Sequence, residues 1–374
     1  MIDSTIEHLS TNECEDEAIS HHASAHDHAW QLKFDHLAHM MTDIGIWQHA
    51  IGNQPDKRHG YSIDDEARGL IIAIEYWKNS VETQFNSRMG SICFRFLRNA
   101  ALIGSDCGLY HNFCDASGAW LDPTGSADSF GRTVWALGIA YRENVPFAPR
   151  ELLVPLLEAS VKRARSLTYF RSKAFTIVGL AASRMDDVLM LDLCDDLVKT
   201  YRRNSDPSWR WFEQSMTYCN ARLPHALIES AKSFPDRVEY IDIALESLDF
   251  LLQVSKNYMN SYSPIGNAPM ATDGWFKRGD TVPPLYDQQP VDAAALVECC
   301  SAAYELTGNK KYKNAASDAF NWYLGANVHG LMVYDTSDGS VADAITHCGV
   351  SANKGAESVI TFHLAVQALR RIID

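Results

Sequence analysis

Residues 63–77 read IDDEARGLIIAIEYW. Ala67, Leu70, Ile71, Ile74 and Trp77 recur at steps of three and four, which lays one apolar stripe along an α-helix. The polar residues crowd at its start. Ser62 stands just ahead, and Asp64, Asp65 and Glu66 fill the first turn. Ser62 with Asp65 three residues on matches a capping box, and acids in a first turn complement the helix dipole. A helix whose N-terminus carries more acid than a cap needs sets the pattern for the rest of the chain.

The same spacing runs through 31–46, 84–103, 129–141, 151–166, 173–183, 187–201, 222–232, 237–254, 291–306, 311–324 and 355–371. That makes about twelve or thirteen helices. Alternating strand patterns are scarce, and HGLMVYD from His329 is the best candidate for a short one. Several helices end in similar small-residue tails: ALGIAYRE, GLAASR, AAYELTG and AVQALRR. Helix number, self-similarity and a length of 374 residues point to a ring of helical hairpins rather than a four-helix bundle. No Pro/Gly/Ser-rich linker divides the chain. One domain over 28–374 is expected, preceded by a polar, acidic tail over 1–27 that has little to bury.

Composition removes several function classes. Thirty-three basic against 47 acidic residues leave a net charge of −14, which repels phosphate backbones and argues against nucleic acid as a partner. No apolar run reaches the roughly 18 residues of a membrane span. The N-terminus, MIDSTIEHLSTNECEDEA, lacks the apolar core of a signal peptide. Nine scattered cysteines without a CxxC pair suggest reduced thiols, so a cytoplasmic protein is expected. His21, His22, His26 and His28 crowd in the tail, but no recognisable ligand pattern completes them. Neither a metal nor an organic cofactor is expected.

Five polar clusters stand where a loop runs into a helix: His59–Arg68, Asp128–Arg132, Trp209–Glu213 continued by Thr217–Arg222, Tyr286–Asp292, and Asn353–Ser358. Each has a structural explanation. Pro290 suits a first helical position, and Asp292 and Glu357 suit first turns. Together they exceed what caps require. Trp-Arg-Trp-Phe-Glu would place two indoles and a carboxylate within one helical turn, and Asp-Gln-Gln offers donors and acceptors in series. Aromatic faces beside carboxylates and amides are what a sugar needs, because rings stack on C–H faces and polar groups read hydroxyls. In a ring of hairpins the inner helices run parallel, so acids at their N-termini converge on one rim. Glycosyl transfer uses two carboxyl groups with different proton affinities. No GxSxG, HExxH or Walker-type loop competes. Cys107, Cys114 and Cys219 are more simply small buried residues than nucleophiles.

The stretches HGYSIDDEARG, DSFGRTVWALG, WFEQSMTYCNARLPHAL, YDQQPVDAAALVE and NKGAESVI resemble those of the six-hairpin glycosidase-like proteins. Within that fold they are most similar to a bacterial group found beside, or fused to, glycosyltransferases. The resemblance spans Leu37 to the C-terminus and implies an all-α, (α/α)6 toroid. The chain departs from the group's pattern at Glu66, Phe130, Cys219 and Lys354, where Asn, His, Asp and Gln are usual.

These observations lead to an expected carbohydrate-active enzyme, acting on an oligosaccharide or glycoside by hydrolysis or phosphorolysis. Asp65 and Glu213 are the expected catalytic pair, with Asp64, Asp128, Asp287, Asp292 and Glu357 in reserve. His59, Arg68, Arg132, Tyr218, Asn220, Gln288 and Gln289 would bind hydroxyls or orient the acids, and Trp211 and Trp275 would stack on sugar rings. Alternatively, Glu213 merely pairs with an arginine such as Arg210 or Arg222. Two other functions remain open: a sugar epimerase or isomerase working through His59, His225, His347 or His363, and a sugar-binding accessory to a glycosyltransferase.

Overall fold

The computed structural model describes residues 32–102, 108–256, 263–264 and 274–373. The tail expected over 1–27, with its four histidines, lies outside the described residues, as does Cys107. Among the described residues, six inner helices form a closed ring: α2 (Ile63–Lys78), α4 (Ala127–Glu143), α6 (Phe170–Ser183), α8 (Arg222–Ser233), α10 (Pro290–Thr307) and α12 (Ala356–Ile373). Each packs on the next, and α12 closes on α2. Outside lie α1 (Asp35–Met40), α3 (Thr83–Ala100), α5 (Arg150–Ala164), α7 (Asp187–Asn204), α9 (Val238–Val254) and α11 (Lys310–Asn321). The architecture is an (α/α)6 toroid.

Burial separates the two layers. In α10 every residue from Pro290 to Ala303 is buried, whereas α7 buries only a stripe that includes Leu189, Leu193 and Leu197. A helix enclosed on all sides needs no polar face, and an outer helix keeps one. Between α4 and α6 the backbones touch: a Cβ on Gly138 would come within 2.1 Å of the Gly179 carbonyl oxygen. Only glycine permits that approach.

Short strand pairs tie the loops ahead of the inner helices. Tyr61–Ser62 (β3) pairs antiparallel with Phe113–Cys114 (β4), joining the approaches to α2 and α4, after a small hairpin of β1 (Ala50–Ile51) and β2 (Gln54–Pro55). Ser215–Met216 (β5) pairs with Phe276–Lys277 (β6), joining the approaches to α8 and α10. Gln288 and Ile345 exchange backbone hydrogen bonds at 2.9 Å, which joins the approaches to α10 and α12. A last hairpin, β7 (Ile345–Thr346) with β8 (Gly349–Val350), completes the rim.

Three local expectations change. The stripe at 31–46 is helical only over α1, because Ile46 and Trp47 bury from extended chain bridged to Met41 and Tyr61. HGLMVYD is not a strand; only Tyr334 bridges, to Val341, while the Asn327 amide holds the loop through the Trp322 and Leu331 carbonyls. Trp209–Glu213 is not helical either, because Asp206 accepts from the backbone N–H of Ser208 and Trp209 and turns the chain. The described cysteines are unpaired, all buried except the exposed Cys348. No helix among the described residues is long and apolar enough to cross a membrane.

Candidate active site

Ser62 caps α2, its hydroxyl accepting from the Asp64 N–H at 3.1 Å. Asp65 does not complete a capping box. Its carboxylate turns to Arg68, whose Nη2 donates to Asp65 at 2.8 Å and to Glu357 of α12 at 2.8 Å. One guanidinium nitrogen thus bridges the first and last inner helices. These groups line a cavity of about 310 Å³ at the N-terminal rim. Gln48, His49, Ser62, Asp64, Asp65 and Arg68 line it together with Phe113, Gln289, Asp343, Gly355, Glu357 and Ser358.

Burial dominates the electrostatics. It pushes the Asp65 carboxyl up to about 7, with Arg68 opposing and Glu357 reinforcing the shift. A carboxyl so tuned is partly protonated near neutrality, as a general acid requires. Burial also raises Asp343, which accepts from the Gly355 N–H at 2.6 Å and the Ser358 hydroxyl at 2.7 Å. It lowers His49, whose ring meets His59 edge-on at 4.8 Å.

A belt of polar contacts continues around the rim. Asp64 pairs with Arg132 of α4 at 3.1 Å, and its other oxygen, Oδ1, is buried without a partner among the described residues. Asp128, also on α4, accepts from the Tyr218 hydroxyl at 2.6 Å. Arg171 of α6 donates to Glu213 at 2.6 Å, to the Asn220 side chain at 3.0 Å and to the Tyr218 carbonyl. The Cys219 N–H donates at 2.6 Å to Asp292 of α10, a carboxyl that burial raises well above the usual range. All six inner N-termini are linked in this way.

The expected residues therefore fall into three groups. Asp64, Asp65, Arg68, Gln289 and Glu357 line the cavity. Asp128, Arg132, Glu213, Tyr218, Asn220 and Asp292 belong to the belt beside it. The remainder belong to neither, although His59 touches the cavity-lining His49. His59 is exposed and lies 3.5 Å from Asp56. Asp287 is half-buried in the approach to α10, and Trp275, 36 % exposed, lies next to β6.

Several roles need correction. Trp211 has no exposed surface and packs against Phe212, so it offers no face to a sugar. The Gln288 side chain is wholly buried, accepting from the Trp322 indole at 2.7 Å and donating to the Leu285 carbonyl at 2.9 Å. Glu213 is paired, but with Arg171; Arg210 goes to Glu246 and Arg222 to Glu298. The Trp209 indole donates to the Glu213 backbone carbonyl and leaves its carboxylate a quarter exposed. Of the other histidines, His225 lies toward the opposite end of the ring against Arg222 and Glu229, His363 is buried against the Tyr76 hydroxyl, and His347 rests on Tyr286.

Sequence reasoning missed His49, Asp343 and Arg171. None lies in a polar cluster: Arg171 follows Tyr169 and Phe170, and His49 follows Ile46 and Trp47. The departures from the group's pattern avoid the cavity. Glu66 is fully buried, accepts from the Ile46 N–H at 2.5 Å and is pushed up to about 8 by burial. Phe130 is buried, and Lys354 pairs with Asp335 at 2.9 Å. No group of three His, Cys, Asp or Glu side chains among the described residues has the geometry to hold a metal ion.

No protein-family model matches the chain, and no curated protein matches it in sequence. Solved structures share its shape. A sugar epimerase from a ruminal bacterium aligns with TM-score 0.70 at 11% identity, over 94% of this chain and 99% of that one. Cellobiose 2-epimerase from Bacillus thermoamylovorans aligns with TM-score 0.71 at 11% identity, over 94% and 98%. An alpha-1,6-mannanase from Salegentibacter, in a variant inactivated by replacing two consecutive aspartates and in complex with alpha-1,6-mannotetrose, aligns with TM-score 0.61 at 8% identity, over 92% and 97%. At such identities the likeness establishes the six-hairpin toroid fold.

Proposed function

We propose that the protein is a carbohydrate-active enzyme that cleaves a glycosidic bond in the rim cavity, with Asp64 and Asp65 as its catalytic pair. The observation carrying this reading is that two consecutive aspartates share the cavity wall in different environments. Asp65 is buried and holds its proton up to about 7, while Asp64 is a quarter exposed and keeps one oxygen unpartnered. Environments that separate two carboxyls in this way divide the roles of acid and of base or nucleophile. Asp65 donates a proton to the leaving oxygen as the bond breaks, and Asp64 stabilises the positive charge developing on the sugar or activates water. Arg68 and Glu357 hold Asp65 in place. The similarly folded mannanase, silenced by loss of two adjacent aspartates, supports the assignment.

A second reading rests on His49. It lines the same cavity, and an epimerase working on a reducing sugar uses histidine as acid and base. The two epimerases also have the higher TM-scores. The readings separate by product analysis. The protein is incubated with a panel of oligosaccharides and aryl glycosides, and in parallel with reducing mono- and disaccharides, and each reaction is followed by NMR. Glycoside cleavage that falls about 10²-fold or more in Asp64→Asn supports the first reading. Turnover of reducing sugars alone, abolished in His49→Gln, replaces it with the second. Sugar binding with no turnover would leave a non-catalytic accessory to a glycosyltransferase.

A further inference from the structure

Phe113 lines the rim cavity and is 39% exposed. Its direction follows from the strand register. Phe113 on β4 stands opposite Ser62 on β3, and residues directly opposite in an antiparallel pair project to the same face. Ser62 also lines the cavity and caps the helix that bears Asp64 and Asp65. The chain after β4 turns back and adds a third row: Trp120 bridges to Cys114, and the Leu121 N–H donates to the Phe113 carbonyl at 2.9 Å. Tyr61, Cys114 and Trp120 take the alternate positions and face the protein, where Tyr61 and Trp120 pack on Phe96 at 6.3 and 5.2 Å between ring centroids. Ser62, Phe113 and Leu121 are left in one row on the cavity side, and exposure rises along it from 3% to 39% to 63%.

The backbone under this row is fixed. The Asp122 carboxylate accepts from the Phe113 N–H at 2.7 Å and from the Asn112 N–H at 2.9 Å, and the Asn112 carbonyl accepts from the Ile63 N–H at 2.9 Å. A ring held in this way loses little freedom when a ligand covers it. The two ends of the row differ in chemistry. At Ser62 the cavity offers the carboxyls of Asp64, Asp65, Asp343 and Glu357, which suit hydroxyls. From Phe113 outward the row is apolar, and Leu121 lies beyond the cavity lining. At about 310 Å³ the cavity is at the lower end for a small-molecule site, so a longer ligand has to leave it over this row.

We propose that Phe113 is the platform for a second sugar ring, and that the ligand is a di- or oligosaccharide. One ring sits among the carboxyls of the cavity, and the next lays its apolar C–H face on Phe113 with its outer edge toward Leu121. A polar cavity and an apolar face beside it match the two surfaces of a pyranose, its hydroxyl rim and its C–H face. Phe113 thereby supplies the stacking that the buried Trp211 does not. The inference rests on the reading that the rim cavity takes a carbohydrate, and it holds for either reaction.

Binding by the full chain, followed by saturation-transfer NMR, tests it. The probes are the methyl glycosides of glucose, galactose and mannose, and di- and trisaccharides built from the same sugars. The longer sugars should bind about 10-fold or more tighter than the methyl glycosides, the scale expected for covering one aromatic side chain. Phe113→Ala should remove that gain and leave methyl glycoside binding as it was, and Phe113→Trp should keep the gain. The thermal midpoint of Phe113→Ala should stay close to that of the unmodified chain, because the ring is exposed. An unchanged gain in Phe113→Ala, or an equal loss for short and long sugars, overturns the platform and leaves the carbohydrate reading standing. A midpoint lowered by several degrees makes Phe113 structural and overturns it too. No binding of any of these sugars by the unmodified chain overturns the carbohydrate reading and the platform with it.

Discussion

The two ends of the ring are built from the same kinds of side chain and use them differently. At the C-terminal ends of the inner helices a cavity of about 230 Å³ is lined by Glu75, Lys78, His225, Glu229, Lys232, Glu305 and Arg371 among others. Its charges are matched: Lys232 reaches Glu229 at 2.7 Å and Glu305 at 2.6 Å, Arg371 reaches Glu305 at 3.3 Å, and Lys78 reaches Glu143 at 3.0 Å. Burial pushes Glu229 up, but His225 and Lys232 hold it well below the ordinary carboxylate range. At the N-terminal rim, by contrast, Asp65, Asp292 and Asp343 are pushed up by burial, and oxygens of Asp64 and Asp292 lack partners among the described residues. A matched network stabilises the ring. Mismatched carboxyls are what chemistry needs, and perturbed groups in a cleft mark a functional site.

The largest effect is expected at Arg222, which opens α8 and pairs with Glu298 inside the ring. Arg222→Met would leave Glu298 buried without its 2.7 Å partner. Removing one member of a buried pair costs about 3–5 kcal/mol. Urea unfolding should show that loss, and a loss below about 1 kcal/mol would mean the pair is not the support it looks like.

At the rim the expected effect is on rate. Asp65→Asn should lower glycoside turnover by about 10²-fold or more while costing less stability than Arg222→Met, since Arg68 keeps its 2.8 Å partner Glu357. A fall in stability with full turnover would make Asp65 structural and erase the difference between the ends.

The pH dependence sharpens the comparison, because the two ends slope oppositely. Asp65, raised to about 7, holds a proton in the folded chain that the unfolded chain releases above about pH 4. Its contribution to stability is therefore lost as pH rises from about 4 to about 7. Glu229 is lowered, so its contribution is present above about pH 4.3 and lost as pH falls below that. Midpoints measured from pH 3 to 8 should lose the first slope in Asp65→Asn and the second in Glu229→Gln. Identical profiles in both variants would refute the assignment.

The smallest effect is at the cap that opens α2 on the cavity wall. Ser62→Ala removes the acceptor for the Asp64 N–H and should cost about 1 kcal/mol. Its telling readout is turnover, which should fall more than that stability loss explains if the first turn of α2 positions Asp64 and Asp65.

Much of the frame was legible in the sequence. The stripe over 63–77 is α2 to within one residue, and Pro290 opens α10 as its chemistry required. These features follow from periodicity and from backbone geometry, which neighbours in the chain control. The site was legible in part. Asp64, Asp65, Arg68, Gln289 and Glu357 were named from their clusters and do line one cavity. Trp211 and Gln288 looked like ligand-binding groups because indoles and amides are, but burial turned both into packing.

Sequence alone determined that this chain makes helical hairpins and places acids at the starts of the inner helices, because helix period and N-terminal preference act over a few residues. Only the tertiary structure decided which acids share a cavity and which are paired away. Arg68 and Glu357 lie 289 positions apart and meet because α12 closes the ring on α2. Arg171, in no recognisable motif, chose Glu213. Asp65 keeps its proton up to about 7, and Glu229 releases its own far below. The reason is physical. A carboxyl's proton affinity follows the water it has lost and the charges it has gained, and both come from residues far away along the chain.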